Sequence, residues 1–535
     1  MYDVHLTEAF FPPQTDAELR DDTIGELLRE VAGRYPEATA LVDIALDGTV
    51  GREWNYRELL ETSESLAGVL ASRFEPGERV VAWAPNIPEW LFLEYACAFS
   101  GLVLVTANPS FQEKELRYVL EQSGAVALFL VDSFRGNAMA DIAQKAIEGN
   151  AQIREVVNLE NETVLFKQGS KLTDLPGVKP TDPAQIQYTS GTTGFPKGAV
   201  LSHYNLVNNA RLFAARKKVH QQSVWANFMP MFHTAGCATT VLGSLQAGCK
   251  MLMIKLFDAN ILARLIESEG ITTFFAVPTM LVGLLEALDR QHREMSSMEV
   301  ITTGGAPVPP ELVRKVRDRL GCSLQSAFGQ TEASPMICLN HDDVTFDDIC
   351  YSAGQPLPHT SVSIRHPETG AVLDVGEVGE ICAKGYNVMI GYHNNFDATH
   401  AAIDEDHWLH TGDLGKLDKR GFIRVTGRVK DMIIRGGENH FPAEIENTLI
   451  ESPQVAEVAV VGIPDEKWGE VIAAFVRTEE DKPLDTDDLK SFCRSHLSPQ
   501  KTPSIWRHVD AFPLTGSGKI QKFKIRDKYL SGDYE

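Results

Sequence analysis

From about residue 79 the chain alternates short apolar runs with longer amphipathic ones, and this alternation limits the folds open to it. RVVAWA (79–84) reads as a buried strand, and PEWLFLEYACAFSG (88–101) as a helix closed by a glycine. LVLVTAN, EKELRYVLEQSG and AVALFLVD carry the pattern to Asp132. It returns at KMLMI (250–254), ITTFFAV (271–277), EVITTGG (299–305) and SLQSAFG (323–329). Strands separated by helices run parallel and pack into layered α/β sheets. After about residue 360 short strands and glycine turns dominate, as in SVSIRHPETGAVL and GFIRVTGRVKDMIIRGGE, and the last hundred or so residues return to mixed helix and strand. At 535 residues one core is not expected. The sequence therefore predicts an α/β protein of two domains, divided at GRVKD (427–431). Residues 1–429 form a large domain of two α/β sheets plus a β-rich part, and 430–535 a small α+β domain.

Charge narrows the partners. A formal net charge of -23 opposes nucleic acid and anionic membranes as main partners, yet leaves room for a local phosphate site. The eight cysteines, Cys97, Cys237, Cys249, Cys322, Cys338, Cys350, Cys382 and Cys493, form no CxxC pair, so neither a disulfide framework nor a zinc site is expected. No apolar stretch approaches a membrane span and no basic–apolar leader opens the chain, which predicts a cytoplasmic location. The sequence is compatible with a homo-oligomer and does not specify one.

The strongest chemical signal is TSGTTGFPKG (189–198), after the predicted strand AQIQY. Thr189, Ser190, Gly191, Thr192, Thr193, Gly194 and Lys197 combine small residues, hydroxyls and one cation, a composition that converges amide and hydroxyl donors on a phosphate. The spacing is not that of a Walker A loop. The segment resembles the phosphate loop of the adenylate-forming superfamily, which holds acyl-CoA synthetases, nonribosomal-peptide adenylation domains and beetle luciferases. Further motifs follow in the family's order: MPMFHTAG (229–236), TTGGAPVPP (302–310), SAFGQTEASP (326–335), WLHTGDLG (408–415), GRVKDMIIRGGENHFPAEIE (427–446) and PLTGSGKIQK (513–522). Jointly they point to the acyl-CoA synthetase and fatty-acid–CoA ligase branch, with ATP, Mg2+ and coenzyme A as the implied reactants and ion.

The resemblance assigns roles residue by residue. Gly305, Ala306 and Pro307, with Ala327, Phe328, Gly329, Gln330 and Thr331, would hold the adenine side of ATP. Where the family often carries a tyrosine this chain has Ala327 and Phe328, so stacking is kept and a hydroxyl lost. Glu332 follows a strand end, where an acid can reach the crevice beyond the sheet, and it would bind magnesium together with Thr189. Asp413, between Gly412 and Gly415, would accept both ribose hydroxyls, with Arg428 nearby. His233 would position the acyl carboxylate and α-phosphate; a carboxylate nucleophile needs no base at neutral pH. Lys519 would bring its cation to the same atoms during adenylation. Arg435, Gly436 and Gly437 would border the pantetheine arm of coenzyme A, and Lys430 would be the hinge on which the small, mobile C-terminal domain alternates between the two half-reactions.

The acid itself is read from a pocket implied behind His233 and bounded by Thr234, Cys237, Val277, Gly304, Gly329 and Met336. None of these is charged, and the two glycines are expected to leave room for a chain or flat ring, which predicts a medium-length aliphatic acid. Rival readings are an aryl-CoA ligase, an enzyme loading a carrier protein, a luciferase-like oxygenase and a nucleotide-binding regulator without catalysis. The chain ends sixteen residues beyond Lys519 with no carrier module, which leads us to expect a free thiol acceptor.

Overall fold

The computed structural model describes residues 1–161, 165, 175–189, 196–305, 308–436, 438–478, 484–514 and 520–534. They fall into two compact units. The first comprises Met1, 12–361 and 383–409; the second comprises 2–11, 362–382 and 410–535.

The first unit contains two mixed sheets. In the seven-stranded sheet the order is Gly391–Tyr392, Lys197–Ser202, Pro183–Thr189, Val103–Thr106, Arg79–Trp83, Ala127–Leu130 and Glu155–Asn158. Its centre is parallel, as the alternating pattern predicts, while Lys197–Ser202 turns back antiparallel on Pro183–Thr189. The nine-stranded sheet has a parallel run from Thr39–Ile44 through Lys250–Ile254, Val224–Asn227, Thr273–Ala276 and Val300–Gly304 to Ser323–Gly329. Antiparallel strands close both edges. The helix Pro88–Ser100 opens with a proline at its first turn and ends on Gly101 in the left-handed conformation, so both of its sequence signals act as expected. Twelve of its residues are buried, which explains its nearly uniform apolarity.

The second unit contains two five-stranded sheets. One runs Phe10–Phe11, Thr360–Arg365, Gly379–Gly385, Leu409–Leu417, Ile423–Arg428. The other joins Glu438–His440, Ile433–Arg435, Gly469–Thr478 and Val455–Asp465, with Ile505–His508 beside Gly469–Thr478. Apolar clusters cover both faces of the latter: Ile445, Leu449, Val460 and Leu489 on one, Val461, Phe475, Phe512 and Ile525 on the other. The β-rich residues 362–382 and 410–428 lie with the C-terminal residues in the second unit, where the helix Pro442–Leu449 packs on the strand Ile423–Arg428. The change of sheet falls between Arg428 and Ile433.

His203 opens the helix His203–Arg216, is 0% exposed, and accepts the Ile24 N–H at Nδ1 over 3.3 Å. Burial lowers its pKa to about 4. The unfolded chain then binds a proton that the folded one refuses, so stability holds above about pH 6.5 and falls as the pH drops towards 4. The loss should be on the order of 3 kcal/mol. His203→Asn, which retains an acceptor and cannot titrate, should flatten denaturant midpoints over that interval; an unchanged acid slope would contradict this.

Candidate functional site

In the first unit the strand Pro183–Thr189 delivers Thr189 to its carboxyl end, opposite Lys197 on the returning strand, and the Thr189 hydroxyl lies 3.4 Å from the Lys197 carbonyl oxygen. The intervening phosphate-loop residues Ser190, Gly191, Thr192, Thr193 and Gly194 lie outside the described residues. Lys197 Nζ sits 4.9 Å from the centre of the Tyr392 ring, and the Tyr392 hydroxyl donates to Glu332 Oε1 over 2.7 Å. Glu332 itself rides on a short 3-10 turn, Thr331–Ala333, just beyond the strand Ser323–Gly329, and its carbonyl accepts the Met389 N–H. Lys197 and Glu332, expected from distant motifs, are thus linked through one side chain the sequence reading missed, and Thr189 stands beside Lys197.

Tyr392 gave little signal, since GYHNN looks like an ordinary turn; its role arises from the pairing of Gly391–Tyr392 with Val200 and Ala199. Burial, reinforced by the adjacent Glu332 carboxylate, raises the phenol's pKa, so it stays a donor. Tyr392→Phe removes a hydrogen bond to a carboxylate, and should raise the magnesium concentration needed for half-maximal pyrophosphate release by about tenfold. An unchanged magnesium requirement would argue against this role.

Hard oxygen donors suit magnesium, and a Glu332 carboxylate and Thr189 hydroxyl are donors of that kind. Gly305 is exposed with φ +83°, a conformation that glycine adopts without strain, at the end of Val300–Gly304. Ala306 and Pro307 lie outside the described residues. Ala327 and Phe328 are buried in the strand, whereas Gly329 is exposed and Gln330 and Thr331 lead into the turn bearing Glu332.

His233 ends the turn before an eight-residue π-helix, Ala235–Leu242. The wider helix is a geometry often found at functional sites. The Ala235 N–H donates to His233 Nδ1 over 3.1 Å, which puts the neutral imidazole's proton on Nε2. That nitrogen can donate to an oxygen.

Two expectations about the acyl pocket need correcting. Gly304 and Gly329 leave no room: a Cβ would meet the Ala327 carbonyl oxygen at 2.8 Å and the Pro335 carbonyl oxygen at 2.0 Å, so both glycines permit close backbone approach. Thr234 and Cys237 are each 0% exposed, so no open cavity reaches them in this conformation, while Val277 is partly exposed and Met336 buried. Behind Cys237 runs a buried polar chain that the sequence did not suggest. Gln187 Nε2 donates to Cys237 Sγ (3.1 Å) and Gln185 Oε1 (2.8 Å), and Gln185 Nε2 donates to Glu94 Oε1 (2.6 Å). Burial raises the Glu94 pKa well above the usual carboxylate range, so this acid is neutral.

In the second unit Asp413 and Arg428 lie directly opposite one another on adjacent antiparallel strands, and Arg428 Nε donates to Asp413 Oδ1 over 3.0 Å. Asp413 is 7% exposed. Lys430 stands in the turn Val429–Asp431 between the two sheets. Arg435 stacks 5.4 Å from the ring centre of Trp468, and Lys467 Nζ lies 5.1 Å from it. Gly436, at φ +62°, packs so closely that a Cβ would meet the indole at 2.9 Å. Trp468 is 42% exposed, an aromatic face flanked by two cations that motif reading overlooked. Gly437 and Lys519 lie outside the described residues.

Residues 28–393 match the family model described as AMP-binding enzyme, and 444–519 match the AMP-binding enzyme C-terminal domain. YngI of Bacillus subtilis is 36% identical over 96% of this chain and 98% of its own length. The mitochondrial medium-chain acyl-CoA ligase ACSF2 of Bos taurus is 34% identical over 95% of this chain and 88% of that protein. Among solved structures, ATP-bound MatB from Rhodopseudomonas palustris superposes with a TM-score of 0.86 at 28% identity, covering 94% of this chain and 99% of that one. The o-succinylbenzoate CoA synthetase MenE of Bacillus subtilis, solved with an acyl-adenylate, gives 0.83 at 29% identity over 95% and 99%.

Proposed function

The chain belongs to the AMP-binding enzyme family of AMP-forming acyl-CoA synthetases and ligases, and on that footing we propose that it activates an apolar, medium-chain carboxylic acid with ATP and transfers the acyl group to coenzyme A. A carboxylate oxygen attacks the α-phosphorus, forming acyl-adenylate as pyrophosphate leaves. The coenzyme A sulfur then attacks the acyl carbonyl, giving up its proton, and AMP departs.

The residues divide the work by chemistry. Thr189 and Glu332 would hold magnesium, whose charge draws electron density from the phosphates. His233 Nε2 donates to the acid or the α-phosphate, Asp413 accepts the ribose hydroxyls and Lys519 supplies a cation during adenylation. Arg435, Gly436 and Gly437 accompany the thiol arm, and Trp468, with Lys467 and Arg435, offers a base-stacking face beside phosphate-binding cations. Lys430 is the proposed hinge of a lid comprising residues 430–535. A cytoplasmic setting is part of the proposal; among the described residues no helix is long and apolar enough to cross a membrane.

One observation carries the choice of acid: the side chains behind His233, from Thr234 and Cys237 back to Gln187, Gln185 and neutral Glu94, are buried in this conformation and hold no ionised carboxylate to pair with an ammonium group when the pocket opens to the acid. An amino acid there would bury its charge without a partner. An aromatic acid is the second reading, favoured by the likeness to MenE. Specificity constants over straight-chain acids should rise from acetate, each buried methylene contributing about 0.8 kcal/mol, until the pocket is filled. A flat profile, or preference for an amino acid, would overturn this assignment.

A further inference from the structure

Beside Thr411, Gly412 and Asp413, within the strand Leu409–Leu417, stand three side chains to which the reaction described above gives no task. Glu380 and Cys382 share one face of the strand Gly379–Gly385, and His410 stands on the neighbouring strand Leu409–Leu417. Glu380 is used at both oxygens: Oε2 lies 2.8 Å from His410 Nδ1, and Oε1 accepts the Gly412 N–H over 3.0 Å. The side chains of Glu380 and His410 are 13% and 26% exposed, and Cys382 is buried with its sulfur 3.6 Å from His410 Nδ1. Hydrogen bonding to Cys382 and Glu380 raises the His410 pKa to about 10, so the imidazole is a cation throughout the neutral range. A charged pair this sheltered holds its geometry better than an exposed one.

The neighbouring bonds give the pair its consequence. Thr411 Oγ1 donates to the Ile381 carbonyl over 2.7 Å and accepts the Asp413 N–H over 3.1 Å. Residues on both sides of Gly412 are therefore tied to one another or to the strand carrying Glu380. Gly412 itself, at φ +70°, has no Cβ to limit its rotation. Its amide is restrained by Glu380, and Glu380 is restrained by His410. Without that restraint the backbone immediately before Asp413 gains freedom, and the carboxylate loses its fixed direction.

We infer that Glu380 and His410 are positioning residues for nucleotide binding, fixing the Thr411–Asp413 stretch of the strand Leu409–Leu417 so that the Asp413 carboxylate is presented to the ribose hydroxyls. The inference rests on the reading of Asp413 as the ribose-binding group, and its test separates the two. Pyrophosphate release would be measured in the full-length protein with ATP and with 2′,3′-dideoxy-ATP, for the wild type, Asp413→Asn, Glu380→Ala, Glu380→Gln, His410→Leu and His410→Lys.

Asp413→Asn should erase most of the preference for ATP over the dideoxy nucleotide. Glu380→Ala should raise the KM for ATP about tenfold, the effect expected for losing one charge-assisted hydrogen bond, with kcat and the KM for the acid within about threefold. Its KM for 2′,3′-dideoxy-ATP should match the wild type, because no ribose hydroxyl remains to be misaligned. Glu380→Gln, which keeps the shape and an acceptor for Gly412, should fall between, and it carries the test if Glu380→Ala does not fold. His410→Leu should follow Glu380→Ala, whereas His410→Lys, which restores a cation, should recover most of the ATP affinity. If the Glu380 variants weaken both nucleotides equally, the pair is merely structural and the inference fails. If Asp413→Asn keeps full discrimination, the ribose assignment fails as well.

Discussion

Lys519→Ala is expected to lower acid-dependent pyrophosphate release by about 10²–10³-fold, the usual consequence of deleting one preorganised group that stabilises transition-state charge. Attack of a carboxylate on the α-phosphorus brings two anions together, so a cation at their meeting point lowers the barrier directly. Leu514 and Ile520 form an isolated antiparallel bridge, and the Gln521 N–H donates to the Pro513 carbonyl over 2.8 Å. These contacts join the described residues on either side of Lys519, which itself lies outside the described residues. The thiol step starts from an acyl-adenylate already made and no longer needs that charge. The same variant should thus convert supplied acyl-adenylate and coenzyme A to thioester within a few-fold of the wild-type rate. Equal losses in both half-reactions would contradict the assignment.

The complementary expectation concerns Gly437. Gly437→Leu adds a branched side chain where the pantetheine arm is proposed to pass, and a displacement of about 1 Å between thiol and carbonyl is enough to cost about 10²-fold. Neighbouring Gly436 lies against the Trp468 ring. Gly437→Leu should release one equivalent of pyrophosphate per enzyme and retain acyl-adenylate, with thioester formation reduced by about 10²-fold or more. Lys430→Pro, which locks φ in the turn Val429–Asp431, should produce the same arrest by blocking alternation at the hinge. Normal thioester synthesis by either variant would refute the role given to that residue.

Much of this was legible in the sequence because it is local. The glycine that ends Pro88–Ser100 and the apolar runs that become parallel strands each depend on a few neighbouring residues. The pairing of Asp413 with Arg428 was half legible: both motifs were evident, but the cross-strand register that makes them opposite partners was not. What escaped depends on contacts distant in the chain. Tyr392 reaches Glu332 only because a two-residue edge strand joins Lys197–Ser202, and Glu94 is neutral because packing buries it, against the opposing pull of its hydrogen bond from Gln185. Gly304 and Gly329 illustrate the converse. Their missing side chains suggested space, whereas packing of backbone carbonyls had already consumed it.

The central claim is that acid and ATP form an acyl-adenylate that coenzyme A discharges. Pyrophosphate release should be followed with a medium-chain straight acid, first without and then with coenzyme A. The account predicts acid-dependent release that stops near one equivalent per enzyme without coenzyme A, and becomes continuous, with matching AMP and thioester, once it is added. Release that ignores the acid, or continuous turnover unaffected by coenzyme A and yielding no thioester, would contradict it.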